Sequence, residues 1–273
     1  MTANVKDTAP VCRRGSKKCV KRQTEHELFV HEHMLPCGHG ITLSSDLGRA
    51  WGGTCGSTLW AAGPALLTWI SDHSELQKLF EGRNVLELGA GLGFTGMALV
   101  LAGASHCILT DLPEQQGLLE LNASANPIIS DRVTCQTLIW GEAIPTEILC
   151  GNWEVIVATD VIYDSSALAP LAHTLSSLLN SKHNAGALLA LPDRTDFAHE
   201  EARIGQAEAD EESGMEGWHP LRPDFECFFD EAARTQCGLR WTLVGRISAE
   251  DAGCSSNIFV FHMQGTLTPQ PPT

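Results

Sequence analysis

The sequence predicts an α/β fold in which a doubly wound, largely parallel sheet is covered by helices. Three short apolar runs support this prediction, because each carries an acidic residue at or near its end: Glu87, Asp111 and Asp160. Such runs are typical of buried strands, and the stretches between them have helix-like spacing. Parallel strands bring their carboxyl ends to one edge of the sheet, where doubly wound sheets bind ligands. We therefore expect these three carboxylates to approach one another there.

A glycine-rich turn follows the first strand, within residues 84–96. Glycines allow sharp bends and let a ligand approach the backbone closely, and residues 94–101 have the pattern of the helix that follows. Gly91, Gly93 and Gly96 also satisfy the dinucleotide fingerprint. We expect Glu87 to lie beside the charged tail of the cofactor, where a carboxylate opposes a pyrophosphate and suits an ammonium or sulfonium ion. This favours S-adenosylmethionine over NAD, with a tight turn that binds no ligand as a third interpretation.

The second and third acidic residues fit the same interpretation. Asp111 lies 18 positions after Gly93, close to the spacing of about 20 residues at which an acid meets ribose hydroxyls in a βαβ unit. Asp160 ends the apolar run of residues 153–160. Capping of a helix N-terminus is the alternative for each acid alone, and it is a weaker explanation for all three together.

The remaining elements follow from periodicity. Residues 28–34 alternate as a strand with His31 and His33 on one face, and residues 36–40 form the turn of a hairpin. His26, His31, His33, Cys37 and His39 are of the residue types that bind zinc. The paired cysteines that make zinc motifs specific are missing, so the strand interpretation is favoured. The pattern further predicts helices at 61–80, 113–126, 166–179 and 224–237, strands at 185–191, 240–247 and 257–263, and a turn at 250–256.

Several motifs resemble those of one family, the family 16 methyltransferases, which are the seven-β-strand protein lysine methyltransferases of the methyltransferase-like 21 type. The most specific motif is Asp-x-x-Tyr from Asp160 to Tyr163, which contains the only tyrosine of the chain. The resemblance extends over about residues 29–263. Its other segments are a glycine-to-tryptophan stretch, the glycine loop, the end of the second strand and a tryptophan segment on the adenine side: residues 56–62, 85–93, 110–113 and 138–141.

The resemblance implies a Rossmann-like, seven-stranded class I methyltransferase sheet with an N-terminal β-hairpin extension. It implies S-adenosylmethionine as the cofactor and a protein lysine as the acceptor, on substrates such as chaperones, ATPases or elongation factors. Asp160 and Tyr163 would be the catalytic residues, orienting the amine and forming the wall of its channel. The residues expected to bind the cofactor are Trp60, Glu87, Gly89, Gly91, Gly93, Asp111, Leu112, Trp140 and Thr159.

The chain departs from the family pattern at two positions of the site. Many relatives have proline or aspartate after the tryptophan that Trp60 matches, where this chain has Ala61. Many have alanine before the motif aspartate, where this chain has Thr159. These differences bear on the shape of the pocket and leave the expected cofactor unchanged.

Charge is distributed unevenly along the 273 residues, whose formal net charge is −15. Residues 1–22 hold seven basic residues and one acid, a local charge of +6, so that the remainder carries −21. An acidic body repels nucleic acid and attracts basic partners. We therefore expect lysine-bearing protein segments as partners, and neither nucleic acid nor a membrane.

Length and composition predict a single domain at residues 25–264. The resemblance implies that it is a methyltransferase domain with an acidic insertion at about 198–223. Residues 1–24 are expected to form a basic disordered tail and residues 265–273 a second tail. No apolar run reaches the roughly 18 residues of a membrane span, and the ten cysteines are scattered. We expect a cytoplasmic monomer with reduced thiols, and a nuclear location is the alternative.

Two other functions stay open at this point. The same cofactor could serve transfer to a protein histidine or to a small-molecule amine. The chain could also be an inactive binding protein that uses the fold as a scaffold, since fold alone does not establish activity.

Overall fold

The structure is a computed structural model, and it describes residues 18–19, 28–46, 55–182, 184–193, 224–234 and 238–265. The predicted acidic insertion at 198–223 and most of both predicted tails lie outside the described residues. The predicted domain bounds therefore stay predictions.

A seven-stranded sheet forms the centre of the fold, in the order β6-β5-β4-β7-β8-β10-β9. Strands β4 to β8 are parallel, and β10 runs antiparallel to both β8 and β9. This arrangement confirms the predicted class I methyltransferase sheet. The strands are β4 Asn84–Leu88, β5 His106–Asp111, β6 Val133–Thr137, β7 Val155–Thr159, β8 Gly186–Pro192, β9 Leu239–Ile247 and β10 Ile258–Gly265.

Helices cover both faces of the sheet. Alternate residues of β4 pack against the helices on opposite faces. Val85 belongs to a buried cluster with α1 and α3, whereas Leu86 and Leu88 belong to a second cluster with α6 and α7. Side chains on a strand point to opposite faces in turn, so each face of β4 receives its own apolar layer. The helices are α1 Ala62–Ser71, α2 Ser74–Gln77, α3 Phe94–Leu101, α4 Gln116–Ser124, α5 Thr146–Leu149, α6 Leu168–Ser181, α7 Asp224–Arg234 and α8 Ala249–Ala252.

A small second sheet of β1 Lys18–Cys19, β2 Phe29–Met34 and β3 Gly40–Ser45 contains the predicted hairpin. Asn122 of α4 and Asn126, which follows the helix, hold β3. The amide oxygen of Asn126 accepts from Thr42 N at 2.9 Å, and that of Asn122 accepts from Ser44 N at 2.7 Å. Asn122 also donates to Leu92 O at 3.1 Å. The hairpin is thereby attached to the glycine loop through α4.

Several boundaries differ from the predictions. The helix expected over 61–80 ends at Ser71, because His73 has an extended backbone before α2 begins. The helix expected from residue 113 begins at Gln116, after a turn. Strand β6 was not predicted, and α8 lies partly within the turn expected at 250–256. Within the described ranges, no helix is long and apolar enough to cross a membrane.

Candidate functional site

A cavity of about 720 Å³ opens at the carboxyl ends of β4, β5 and β7. Most of the predicted site residues line it. They are Trp60, Gly89, Gly91, Asp111, Leu112, Trp140, Thr159, Asp160 and Tyr163. Nine of the eleven predicted site residues therefore lie together at the carboxyl edge of the sheet. The other two, Glu87 and Gly93, do not line the cavity.

The glycine loop, residues 89–93, forms one wall through its backbone. Gly89 and Gly91 have φ angles of +66° and +56°, a region that residues with a Cβ adopt at a cost. A Cβ on Gly89 would lie 2.9 Å from Val161 Cγ1 and 3.1 Å from the Trp140 ring. A Cβ on Gly91 would lie 3.1 Å from Gly56 O. The loop needs glycine at both positions for its conformation and for close packing.

Glu87 lies beneath the loop and does not face the cavity. Its side chain is 1% exposed, and its Oε2 accepts a hydrogen bond from Gly96 N at 2.8 Å. Burial raises the pKa of this carboxyl to about 8, against the opposing effects of the hydrogen bonds from Gly96 and Thr95. This position differs from the expectation that Glu87 lies beside the charged tail of the cofactor, because its carboxyl is buried beneath the loop. The polar group faces inward because the turn leaves the N–H of Gly96 to be satisfied inside the core.

Gly93 also acts through packing. Its φ is +80°, and a Cβ there would lie 2.8 Å from Leu119 and 2.9 Å from Leu109. The missing side chain lets the loop lie against α4 and β5, outside the cavity lining. Gly93 therefore contributes to the packing of the loop against the core and not to the cavity surface.

Asp111 ends β5 and supports the loop from the side. Its Oδ2 accepts from Gly91 N at 2.6 Å, and its Oδ1 accepts from Leu112 N at 2.7 Å. Burial raises the pKa of this carboxyl, and the two N–H donors oppose that rise. Each carboxylate oxygen has a second lone pair, so Asp111 keeps the capacity to accept from ligand hydroxyls.

The turn after β7 brings Asp160 and Tyr163 to the opposite wall. Asp160 has a φ of +58°, rare for a residue other than glycine, and its N–H donates to Ala190 O at 3.0 Å. Tyr163 is 38% exposed. Burial raises the pKa of its phenol most, and the nearby Cys55, Asp111 and Asp164 raise that pKa further. A strained backbone of this kind persists where surrounding structure holds it, often at functional sites.

The two tryptophans lie at the surface of the cavity. Trp60 is 47% exposed, and its Nε1 donates to Cys55 O at 2.8 Å. Trp140 is half-buried with its ring over the position of Gly89. Neither ring is a fully buried core residue.

Three further polar residues were not predicted. The side chain of Gln115 is 2% exposed, and its Nε2 donates to Gly56 O at 3.0 Å and to Gly91 O at 3.1 Å. It joins two backbone segments that border the cavity. Asn122 is buried and ties β3 to the loop at Leu92. Thr95 lines the cavity and lies 3.3 Å from Thr159, oxygen to oxygen. A sequence signal existed only for Thr95, a hydroxyl inside an otherwise apolar helix start.

The charged residues that line the cavity are all acidic. They are Asp111, Asp160 and Asp164, and no lysine, arginine or histidine is among the described lining residues. Three of the exposed large apolar side chains of the described chain also line it, namely Trp60, Ile139 and Tyr163. An acidic cavity with apolar walls suits a cation that carries a hydrocarbon chain.

The described residues contain no group of three or more ligands that could hold a metal ion. His31 and His33 lie on one face of β2, as predicted, and the His33 ring meets Phe94 edge-on at 5.7 Å between centroids. Burial and the neighbouring His31 lower the pKa of His33. The His33 ring therefore packs the hairpin against α3.

The model of a family described as lysine methyltransferase matches residues 42–203, which include every predicted site residue. The chain is 31% identical to EEF1A lysine methyltransferase 3 of Mus musculus over 143 residues, covering 52% of this chain and 58% of that relative. It is 30% identical to the protein-lysine N-methyltransferase EEF2KMT of Mus musculus over 158 residues, covering 54% and 46%. The chain thus spans about half the length of these curated relatives.

Among solved structures, magnesium protoporphyrin IX methyltransferase from Synechocystis aligns with a TM-score of 0.45 at 14% identity, covering 74% of this chain and 81% of that one.

Proposed function

The chain belongs to the lysine methyltransferase family, and we propose that it transfers a methyl group from S-adenosylmethionine to a lysine side chain of a protein. One observation carries this proposal. The glycine loop, Asp111 and the turn from Asp160 to Tyr163 line a single cavity whose charged groups are all carboxylates.

The residues present fit the cofactor. The backbone of Gly89 and Gly91 leaves a surface free of side chains, against which a nucleoside can lie, and Asp111 accepts from ribose hydroxyls at the end of β5. Trp140 offers a flat apolar surface beside the loop. When bound, S-adenosylmethionine supplies a methyl group on a sulfonium, so the protein's contribution is alignment of the acceptor.

The opposite wall fits the amine. A lysine near neutral pH is an ammonium, and removal of its proton costs about 4 to 5 kcal/mol at the ordinary pKa of about 10.4. Asp160 orients the incoming ammonium through its charge. Desolvation between the side chains of Trp60 and Tyr163 lowers the pKa of the lysine. The ammonium then loses its proton to solvent more readily, and the neutral amine attacks.

The exposed apolar side chains at the cavity support a long aliphatic acceptor. Trp60, Ile139 and Tyr163 are 47%, 36% and 38% exposed, and together they offer contacts for the methylene stem of a lysine. A short polar amine makes fewer of these contacts. This observation favours lysine over a small hydrophilic amine.

We propose a protein substrate of the elongation-factor type. The names of two relatives, EEF1A lysine methyltransferase 3 and the protein-lysine N-methyltransferase EEF2KMT, support this choice. The formal charge of −15 supports a substrate with basic surface segments.

We also propose that the protein acts as a cytoplasmic monomer. The unpaired cysteines among the described residues, such as Cys37, Cys55 and Cys150, support a reducing compartment.

The test is transfer of a labelled methyl group from S-adenosylmethionine into proteins of a cell extract. Asp160→Asn is the informative variant, because asparagine tolerates positive φ and only the charge is lost. Glu142→Gln removes an exposed carboxylate outside the cavity lining and serves as the matched control.

We expect a discrete labelled protein with the native chain and the control, and its loss in Asp160→Asn. Tight cofactor binding without any labelled protein would contradict the proposal and favour an inactive scaffold or a small-molecule acceptor.

A further inference from the structure

The entry segment, residues 55–60, runs along the cavity and supplies five of its lining residues. It begins with a short 3-10 helix, Cys55–Ser57. Gly56 lies against the glycine loop, since a Cβ on Gly91 would lie 3.1 Å from Gly56 O. Trp60 is at the other end of the segment, and its Nε1 donates to Cys55 O at 2.8 Å. The segment therefore connects the glycine loop with a ring that borders the amine.

Gln115 holds the entry segment from behind the cavity surface. Its Nε2 has two hydrogens and donates to Gly56 O at 3.0 Å and to Gly91 O at 3.1 Å. The side chain is 2% exposed and does not line the cavity. The backbone of Gln115 is also fixed, because its N donates to Leu112 O and its O accepts from Leu119 N, both at 3.0 Å. One buried side chain thus joins the entry segment to the glycine loop.

A buried hydroxyl makes this position of the entry segment costly. Ser57 is 2% exposed, and its Oγ has no hydrogen-bond partner among the described residues. A buried hydroxyl without a partner favours a position of the chain in which water reaches it. The backbone of Ser57 is held at its carbonyl, which accepts from Asp46 N at 3.2 Å. The two hydrogen bonds from Gln115 therefore oppose a tendency of the segment to open.

We propose that Gln115 is a positioning residue that keeps the entry segment closed over the glycine loop before the cofactor binds. This inference rests on the proposed function, because it takes S-adenosylmethionine as the ligand. A ligand binds more weakly when the binding-competent state of its site is only partly populated. With Gln115 in place, the cofactor does not have to order the segment. Bound cofactor lies against the segment and holds it closed, so Gln115 acts on cofactor affinity and not on the rate at saturation.

Gln115→Met tests this role, because methionine has a similar length and no N–H donor. Loss of two hydrogen bonds should shift the segment about 25-fold toward its open state. Amide hydrogen exchange of residues 55–60 in the ligand-free protein should become about fivefold faster, because exchange follows the open fraction. The dissociation constant for S-adenosylhomocysteine, measured by calorimetry, should rise about fivefold. For a two-state segment, these two factors multiply to the shift in the opening equilibrium.

Bound ligand should reverse the effect of the substitution. Saturating S-adenosylhomocysteine should return the exchange of residues 55–60 in Gln115→Met to the native level. Transfer to the labelled protein of the extract should keep its rate at saturating S-adenosylmethionine within about twofold, while KM for the cofactor rises. Gln116→Leu is the matched control and should show native exchange and affinity, since the Gln116 side chain donates to Glu120 Oε1. Thermal unfolding of each variant checks that it is folded.

Gly56→Ala disturbs the same contact from the side of the segment. The added Cβ would lie 3.1 Å from Gln115 Cδ and 3.4 Å from Gly91 Cα, so it separates the segment from both. Exchange of residues 55–60 should again rise in the ligand-free protein. This variant provides the test if Gln115→Met does not fold.

Native exchange rates at residues 55–60 in folded, ligand-free Gln115→Met would overturn the inference and leave the proposed function standing. Faster exchange confined to α4 would also overturn it, because Gln115 would then support the helix and not the segment. If the native chain binds neither S-adenosylmethionine nor S-adenosylhomocysteine, the proposed function fails, and the role of Gln115 fails with it.

Discussion

The cofactor end of the cavity and its amine end are built from different parts of the chain. At the cofactor end, backbone atoms of residues 89–93 form the surface. The side chains of Asp111 and Gln115 bond to Gly91 in this backbone, and the buried Glu87 bonds to Gly96 N behind it. At the amine end, the exposed side chains of Trp60 and Tyr163 form the surface themselves. The first arrangement fixes one geometry, and the second presents chemistry that single side chains can change.

This difference predicts that the two ends fail in different ways. Changes at the cofactor end should weaken cofactor binding or stability, because they disturb the supports of the backbone. Changes at the amine end should lower the rate of transfer and leave cofactor binding nearly intact.

The largest effect is expected for Asp160→Asn. Loss of the carboxylate that orients the amine should lower kcat about 100- to 1000-fold, the range for removal of one preorganised electrostatic contact from an active site. The dissociation constant for the cofactor should change less than about threefold, because asparagine keeps the backbone conformation. Single-turnover kinetics and calorimetry on the same preparation measure both quantities. An equal loss of cofactor affinity and of kcat would contradict the separate roles of the cofactor end and the amine end.

The pH dependence of stability tests the burial of Glu87. Its pKa is raised to about 8 in the folded chain, so the folded state holds this proton at pH values where the unfolded chain has lost it. Stability should therefore fall by about 3 kcal/mol as pH rises from about 5 to about 8. Urea unfolding across this range measures the loss. Glu87→Gln should remove most of this slope, and an unchanged slope would place its origin elsewhere.

Gly89→Ala should weaken cofactor binding about 30-fold, because the new Cβ combines strain at positive φ with contacts to Val161 and Trp140. Gly82→Ala is its matched control. Gly82 has nearly the same φ, +69°, with nothing within 4 Å of the added Cβ. Backbone strain should lower thermal stability by a similar small amount in both variants, and the close contacts should lower that of Gly89→Ala further. Equal cofactor affinity in the two variants would show that the loop tolerates a side chain.

The smallest effect is expected for Gln115→Leu. It leaves the carbonyl oxygens of Gly56 and Gly91 without their shared donor, at a cost of about 1 to 2 kcal/mol. Cofactor affinity should fall about tenfold while kcat at saturation changes little. Gln116→Leu is the control and should bind the cofactor normally, because Gln116 does not line the cavity and its Nε2 donates to Glu120 Oε1.

Sequence patterns predicted the sheet and most of the cavity because those features are local. The apolar runs of β4, β5 and β7 and the glycines between them carry their own signal, as does the motif from Asp160 to Tyr163. No residue range was predicted for strand β6, which has five residues, lies at the edge of the sheet and contains one large apolar side chain, Val133.

The orientation of Glu87 depended on partners distant in sequence. The pattern placed its carboxylate at the right edge of the sheet but gave no information on which face it would take. The hydrogen bond to Gly96 N decides that the side chain points inward. Gln115 and Asn122 contact segments 24 to 78 positions away, so no local pattern marks them.

The most direct test of the account is identification of the methylated residue by tandem mass spectrometry on the protein labelled in extract. The account predicts methyl groups on the ε-nitrogen of a lysine, lost in Asp160→Asn. Methyl groups on a histidine, or label only in the small-molecule fraction, would contradict it.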